Sequence, residues 1–275
     1  MTSRMKRCIA IVLLLVLTIG TVACSAANSA TTEGRGSSGS TGEQEVELLI
    51  SAAASLKDAL EEIKLDYESS HPHIKLNFNY GGSGALQQQI EQGAPVDLFL
   101  SASLSNMQNL VDKGLVDQQD NLLANELVVI VPNSSTLSLN RLSDLTSDSI
   151  YKIAIGVPES VPAGSYAKEA LTHSSLWEPL QANIVQAKDV RQVLQYVETG
   201  NVDAGFVYKT DALSSDKVSI SFSVEPTLHS PIVYPIGIIN TSAHLKEVKE
   251  LYEYLQSAVV LNLFAKYGFS SPSGS

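Results

Sequence analysis

Cysteine is nearly absent. The 275 residues hold two, Cys8 and Cys24, too few for a disulfide framework or a Cys-rich zinc site. Aromatic residues make up only 6%, and the 18 Lys and Arg are outnumbered by 29 Asp and Glu, a formal net charge of −11. Nucleic-acid binding rests on basic surface, so no nucleic-acid partner is expected. The chain has no GxxxxGK[ST] run, and with it no support for a nucleotide P-loop. Its most apolar N-terminal stretch, residues 9–19, is short for a membrane span. What is present is a globular composition, 44% hydrophobic and 17% charged, which excludes disorder throughout.

Arg4, Lys6 and Arg7 precede that apolar stretch, the order of a secretory signal peptide. Small residues follow and lead to Cys24, with Thr21 three positions before it. A small residue directly before a Cys at this place resembles a lipoprotein signal, in which residues 1–23 are removed and Cys24 is acylated. An ordinary signal peptide cleaved nearby is the alternative. Loss of the three leader cations leaves 15 basic against 29 acidic residues, a formal −14. Residues 24–44 are rich in Ser, Gly and Thr with no apolar periodicity, the composition of a flexible tether. An exported protein results, held by lipid on the outer face of the cytoplasmic membrane, or periplasmic if the lipid is absent.

From residue 46 the chain alternates. Residues 46–51 are a short apolar run suited to a buried strand, and Leu56, Leu60, Ile63 and Tyr67 then recur at helical spacing. Strands are predicted at 74–79, 98–100, 127–131, 153–155, 204–208, 218–222 and 232–239. Helices are predicted at 85–92, 104–113, 166–172, 190–199, 245–256 and 258–267. Such alternation implies α/β architecture with mixed, mostly parallel sheets. These eight strands are too many for one small sheet, so two lobes are expected: lobe I from 45–124 and 235–275, lobe II from 125–234. The crossings fall near Asn125 and in the strand about 232–239.

Several strand-to-helix junctions share one chemistry. Ser55 stands at an N-cap position after the first strand. Gly82-Ser83-Gly84 follows the second, and Val161-Pro162-Ala163-Gly164 precedes the helix with Tyr166. Asp189-Val190-Arg191-Gln192 opens another helix with a capping-box-like start. Helix N-termini offer free N–H groups and partial positive charge, hence affinity for anions. In an open α/β sheet they gather at the carboxyl ends of the strands. Singly, each is an ordinary cap or tight turn; together they point to one small anion.

These residues resemble a known family. Ala52-Ala53-Ala54-Ser55-Leu56, Gly82-Ser83-Gly84, Gly93-Ala94-Pro95-Val96-Asp97-Leu98-Phe99, the run from Val161-Pro162-Ala163-Gly164 through Tyr166-Ala167-Lys168-Glu169-Ala170-Leu171, Asp189-Val190-Arg191, Val207-Tyr208 and Lys266-Tyr267-Gly268-Phe269 are similar to the molybdate-binding proteins of ABC-type importers, in the same order along the chain. The resemblance implies a two-lobe periplasmic-binding-protein fold (type II-like) with a two-strand hinge, closing on a tetrahedral dianion. Carried onto matching motifs, it implies that Ser55, Ser83 and Tyr208 offer hydroxyls, and Ala163 and Val190 backbone amides. Molybdenum is then bound as molybdate, with tungstate an expected substitute and no protein ligand to a metal cation. It further implies a membrane permease as partner; no cofactor, no catalysis and a monomer are expected. Hydroxyls and amides suit an anion that carries only acceptors. Hydrogen phosphate brings a proton that wants an acceptor, whereas sulfate would be excluded only by size.

Three other readings compete. Ser165-Tyr166-Ala167-Lys168 matches the S-x-x-K of penicillin-interacting enzymes, but S-D-N is missing and Lys209-Thr210 runs into Asp211. His71-Pro72-His73 is the only close His pair, with no third metal ligand evident. A binding protein for another oxyanion, such as sulfate or phosphate, is the serious alternative, because fold does not fix ligand. Asp97 and Asp203 read as turn caps, and Trp177 as a packing residue. Cys24→Ala is expected to release the protein from membranes or block its processing. Identical partitioning of wild type and variant on cell fractionation would remove the anchor.

Overall fold

The computed structural model describes residues 45–272. The leader, Cys24 and the tether lie outside them. Strand β1 (Val46–Ala53) passes through a 3-10 turn (Ala54–Leu56) into helix α1 (Lys57–Ser70), and β2 (Ile74–Gly81) runs into α2 (Ser83–Glu91). β3 (Leu98–Leu100), α3 (Leu104–Asp112) and β4 (Val116–Ala124) follow. Beyond Asn125 the chain builds β5 (Leu127–Pro132), β6 (Ile153–Gly156), α4 (Pro162–His173), α5 (Trp177–Leu180), β7 (Ile184–Ala187), α6 (Val190–Glu198), β8 (Ala204–Tyr208), α7 (Lys209–Leu213) and β9 (Val218–Ser223). It then returns with β10 (Val233–Ile239) and closes with α8 (Leu245–Leu255) and α9 (Ala258–Lys266).

Two five-stranded sheets result, ordered β2-β1-β3-β10-β4 and β7-β6-β8-β5-β9. Each is the centre of one lobe. In each, two pairings are parallel and two antiparallel, so the antiparallel share is larger than alternation alone suggests. The reason is the return of the chain. β10 enters the first sheet last and runs against β3 and β4, while in the second β5 runs against both β8 and β9. β10 pairs with β4 from Val233↔Ala124 onward, so the second crossing lies before that strand rather than within it.

The apolar stripes land where periodicity places them. Leu56, Leu60, Ile63 and Tyr67 are all buried, as are Val190, Val193, Leu194 and Val197 of α6. β4 and β7 escape the sequence reading. β4 is an edge strand whose sequence, Val-Asp-Gln-Gln-Asp-Asn-Leu-Leu-Ala, is polar and exposed along its middle, as edges that must not aggregate are. Tertiary pairing with β10, not propensity, makes it a strand. Asp97 and Asp203 hold loops as expected of caps, and Asp97 a strand as well: Asp97 Oδ1 accepts from Ser242 Oγ at 2.6 Å and its Oδ2 from Leu49 N of β1 at 2.7 Å, while Asp203 Oδ2 accepts from Tyr151 N and Lys152 N, just ahead of β6, each at 2.8 Å. Trp177 lies under Lys168, whose Nζ is 5.2 Å from the ring centre, so the lysine of the S-x-x-K run is engaged in packing.

Helix α4 rests directly on β6. A Cβ at Gly164 would stand 1.9 Å from the carbonyl oxygen of Gly156, inside any tolerable contact. Gly164→Ala is therefore expected to lift the start of α4 off the sheet and cost about 1–3 kcal/mol or more, the range for overpacking, read as a lowered urea midpoint.

Candidate functional site

β1, β2, β6 and β7 each end at their carboxyl edge on a turn into a helix, and four of those helix starts meet. Ser55 in the 3-10 turn, Ser83 at the head of α2, Ala163 in the first turn of α4 and Val190 at the head of α6 line one cavity together with Tyr208 at the end of β8. All five sequence-predicted residues are thus brought together, and all are buried. The cavity measures about 10 Å³, against ~300–1,000 Å³ for clefts that take drug-sized ligands. So small a space, room for about one water, excludes drug-sized ligands. A wider cleft of about 540 Å³ nearby carries Glu159 and Glu169, carboxylates that would repel an anion.

The cavity's chemistry is that of donors. The first amides of a helix have no intrahelical acceptor, and those of Ala163 and Val190 belong to this set. Ser83 Oγ accepts from Ala102 N at 2.9 Å, which leaves its proton to donate. The hydroxyl of Tyr208 is buried and, although the Tyr234 hydroxyl lies near it, makes no hydrogen bond of good geometry among the described residues. Burial pushes its pKa well above the ordinary value, so it keeps its proton as a donor. Ser55 departs from the expected N-cap: its side chain caps no helix. Ser55 Oγ lies instead 2.9 Å from Tyr234 Oη. Asp189 does cap α6, accepting from Gln192 N at 2.8 Å, and so turns its charge to its own helix and leaves the Val190 amide free.

The two lobes touch around the cavity. Gly84 N donates to Ser160 O at 2.9 Å, and Tyr166 Oη to Ala102 O at 3.3 Å. A Cβ on Gly84 would stand 2.8 Å from Ser160 Cα, and one on Gly82 2.7 Å from Ser160 O. These glycines let the backbone of one lobe approach the other. Arg191 of α6 lies at the same seam. Its Nη2 donates to Asp58 Oδ2 of α1 at 2.6 Å, and its Nε lies 2.8 Å from Asp211 Oδ1. Asp211 is fully buried, and burial pushes its carboxyl up to about 7 against the pull of Arg191. The guanidinium of Arg191 therefore faces two carboxylates. Sequence reading gave Arg191, Asp58 and Asp211 no role, because the Arg191–Asp58 pair spans 133 positions and leaves no local pattern. Among the described residues no group of His, Cys, Asp and Glu could hold a metal ion; His71 stacks on Tyr67.

Residues 48–270 match the bacterial extracellular solute-binding protein family. The chain is 54% identical, over 83% of its length and 88% of the relative's, to a Bacillus subtilis substrate-binding lipoprotein provisionally assigned to an ABC transporter. It is 34% identical to the molybdate-binding protein ModA of Haemophilus influenzae, over 81% of this chain and 89% of that one. Among solved structures it is similar to the substrate-binding domain of a provisionally assigned molybdenum ABC transporter from Clostridium difficile, with TM-score 0.64, 43% identity and coverage of 83% and 100%.

A side chain at the seam should hold the lobes apart. Gly84→Ala is expected to enlarge the radius of gyration in small-angle scattering relative to wild type under saturating ligand. An unchanged profile would show that the contact with Ser160 does not limit closure.

Proposed function

The chain belongs to the bacterial extracellular solute-binding proteins as a ModA-type member, and from that premise we propose that it captures molybdate between its lobes and delivers it to the membrane permease of an ABC importer. As a substrate-binding protein of this kind it works outside the cytoplasm and performs no catalysis. Tungstate, of the same shape and charge, is the expected second ligand. Acylated Cys24 would keep the monomer at the membrane.

The observation that carries this reading is the unpartnered Tyr208 hydroxyl, buried at the point where four helix starts converge. A buried donor without an acceptor costs about 1–3 kcal/mol. An oxyanion with acceptors on every corner would satisfy Ser55, Ser83, Tyr208 and the amides of Ala163 and Val190 at once. The pairing of Arg191 with Asp58 and Asp211 leaves the attraction to short-range dipoles and hydroxyls. Sulfate is the second reading, since it too is free of protons and the same donors fit it.

Calorimetric titration of the protein with molybdate, tungstate, sulfate and phosphate tests the reading. Ser55→Ala and Ser83→Ala are each expected to weaken molybdate by about 1.5–3 kcal/mol, on the order of 10- to 150-fold. Ser83→Asp, which buries a like charge, should nearly abolish binding. Wild-type affinity should change only a few-fold between low and high NaCl, because contacts made at close range in a desolvated site are weakly screened. Full affinity in Ser83→Asp would place the anion elsewhere.

A further inference from the structure

The hydroxyl of Ser55 can serve the cavity in two ways, as a donor or, if its proton turns toward Tyr234, as an acceptor. The choice is fixed outside the cavity. Glu126 N donates to Asn125 Oδ1 at 2.9 Å. A backbone amide can only donate, so it settles which end of the Asn125 side chain is oxygen. The Nδ2 end then faces Thr210 Oγ1 at 2.9 Å and Tyr234 Oη at 3.3 Å, and donates one proton to each. Tyr234 Oη, having accepted, keeps its own proton to give. Ser55 Oγ accepts at 2.9 Å; the Tyr208 hydroxyl also lies near Tyr234 but makes no hydrogen bond of good geometry. Ser55, having accepted from Tyr234, directs its proton into the cavity.

We propose that Asn125 and Tyr234 are positioning residues that set the direction of the Ser55 hydroxyl, making the site a donor-only receptor that favours a proton-free oxyanion over a protonated one. The proposal rests on the oxyanion reading above. It deepens that reading by assigning selectivity to two residues that need not touch the ligand. The relay begins at a backbone N–H in the crossing between the lobes, passes through a side chain of the crossing and one of β10, and ends in the cavity. Ser83 reaches the same state in one step, by accepting from Ala102 N. Both serines are thus polarised by a backbone amide: each has one lone pair engaged and its proton turned to the cavity, which favours a ligand atom that accepts over one that must donate. Burial raises the Tyr234 pKa well above the ordinary value, so the relay does not lose its proton in the physiological range.

Asn125→Asp tests the direction with almost no change of shape. A carboxylate accepts where the amide donated. Tyr234 then gives its proton to residue 125 and accepts from Ser55, whose lone pair turns to the cavity. Molybdate and inorganic phosphate are titrated in direct and competition calorimetry against the full protein near neutral pH, with circular dichroism confirming the fold. In Asn125→Asp molybdate is expected to weaken about 100-fold and phosphate far less, so that the molybdate-over-phosphate ratio shrinks at least tenfold. The added charge alone would weaken both anions in parallel and leave the ratio in place. Tyr234→Phe, which removes the relay without adding charge, should lower molybdate affinity about tenfold and narrow the ratio in the same sense; it decides the matter if Asn125→Asp does not fold. Molybdate affinity within twofold of wild type in the folded variants, or equal losses for both anions, would overturn the relay while leaving the oxyanion reading intact. A wild type that binds no oxyanion would instead overturn the functional reading itself.

Discussion

Buried donors that lack acceptors are the constraint on which the rest of this molecule turns. A folded protein tolerates few of them, since each costs about 1–3 kcal/mol. Here they collect at one cavity: the hydroxyl of Tyr208, the directed proton of Ser83, and the first amides of α4 and α6. The fold makes this concentration possible. Parallel strands deliver helix starts to the same edge of each sheet, and two sheets facing across a seam double their number. No single helix start would bind a dianion well. Convergence of several gives partial charges that add at one point.

Neutrality is the second part of the design. A cation in the cavity would attract any anion. Arg191 lies one residue from Val190, yet it is committed to Asp58 on one lobe and Asp211 on its own. Its service is to the seam, linking α1 to α6 beside the cavity. Asp189 likewise turns its carboxylate to the amide of Gln192. Charge is thus spent locally, in pairs and caps, and recognition is left to the direction of hydrogen bonds. Direction discriminates where charge does not: two dianions of similar size differ in whether one carries a proton.

Close approach is the third. Glycine at 82 and 84 lets the carbonyl and α-carbon of Ser160 come within reach of the first lobe's backbone. Glycine at 164 seats α4 on β6 in the same manner within the second lobe. In each case the missing side chain brings backbone amides close to the cavity.

Much of this was legible in the order of residues. The alternation of apolar strands and amphipathic helices specifies two α/β lobes, because periods of 2 and 3.6 are local properties of the chain. The short motifs around Ser55, Ser83, Ala163, Val190 and Tyr208 specify the cavity's lining, since each sits at a strand-to-helix junction that the fold must bring to one edge. The polar strand β4 was not legible, because its partner β10 begins more than a hundred residues later and supplies what its own sequence lacks. Nor was the capping role given to Ser55 correct, for its partner Tyr234 is 179 positions away. Asn125, Tyr234, Asp58 and Asp211 carry no local signature; they matter through hydrogen bonds and ion pairs between distant segments. The sequence by itself determined which donors exist and on which elements they ride. Only the tertiary structure decided where their protons point, because the direction of a hydroxyl is set by its neighbours in space.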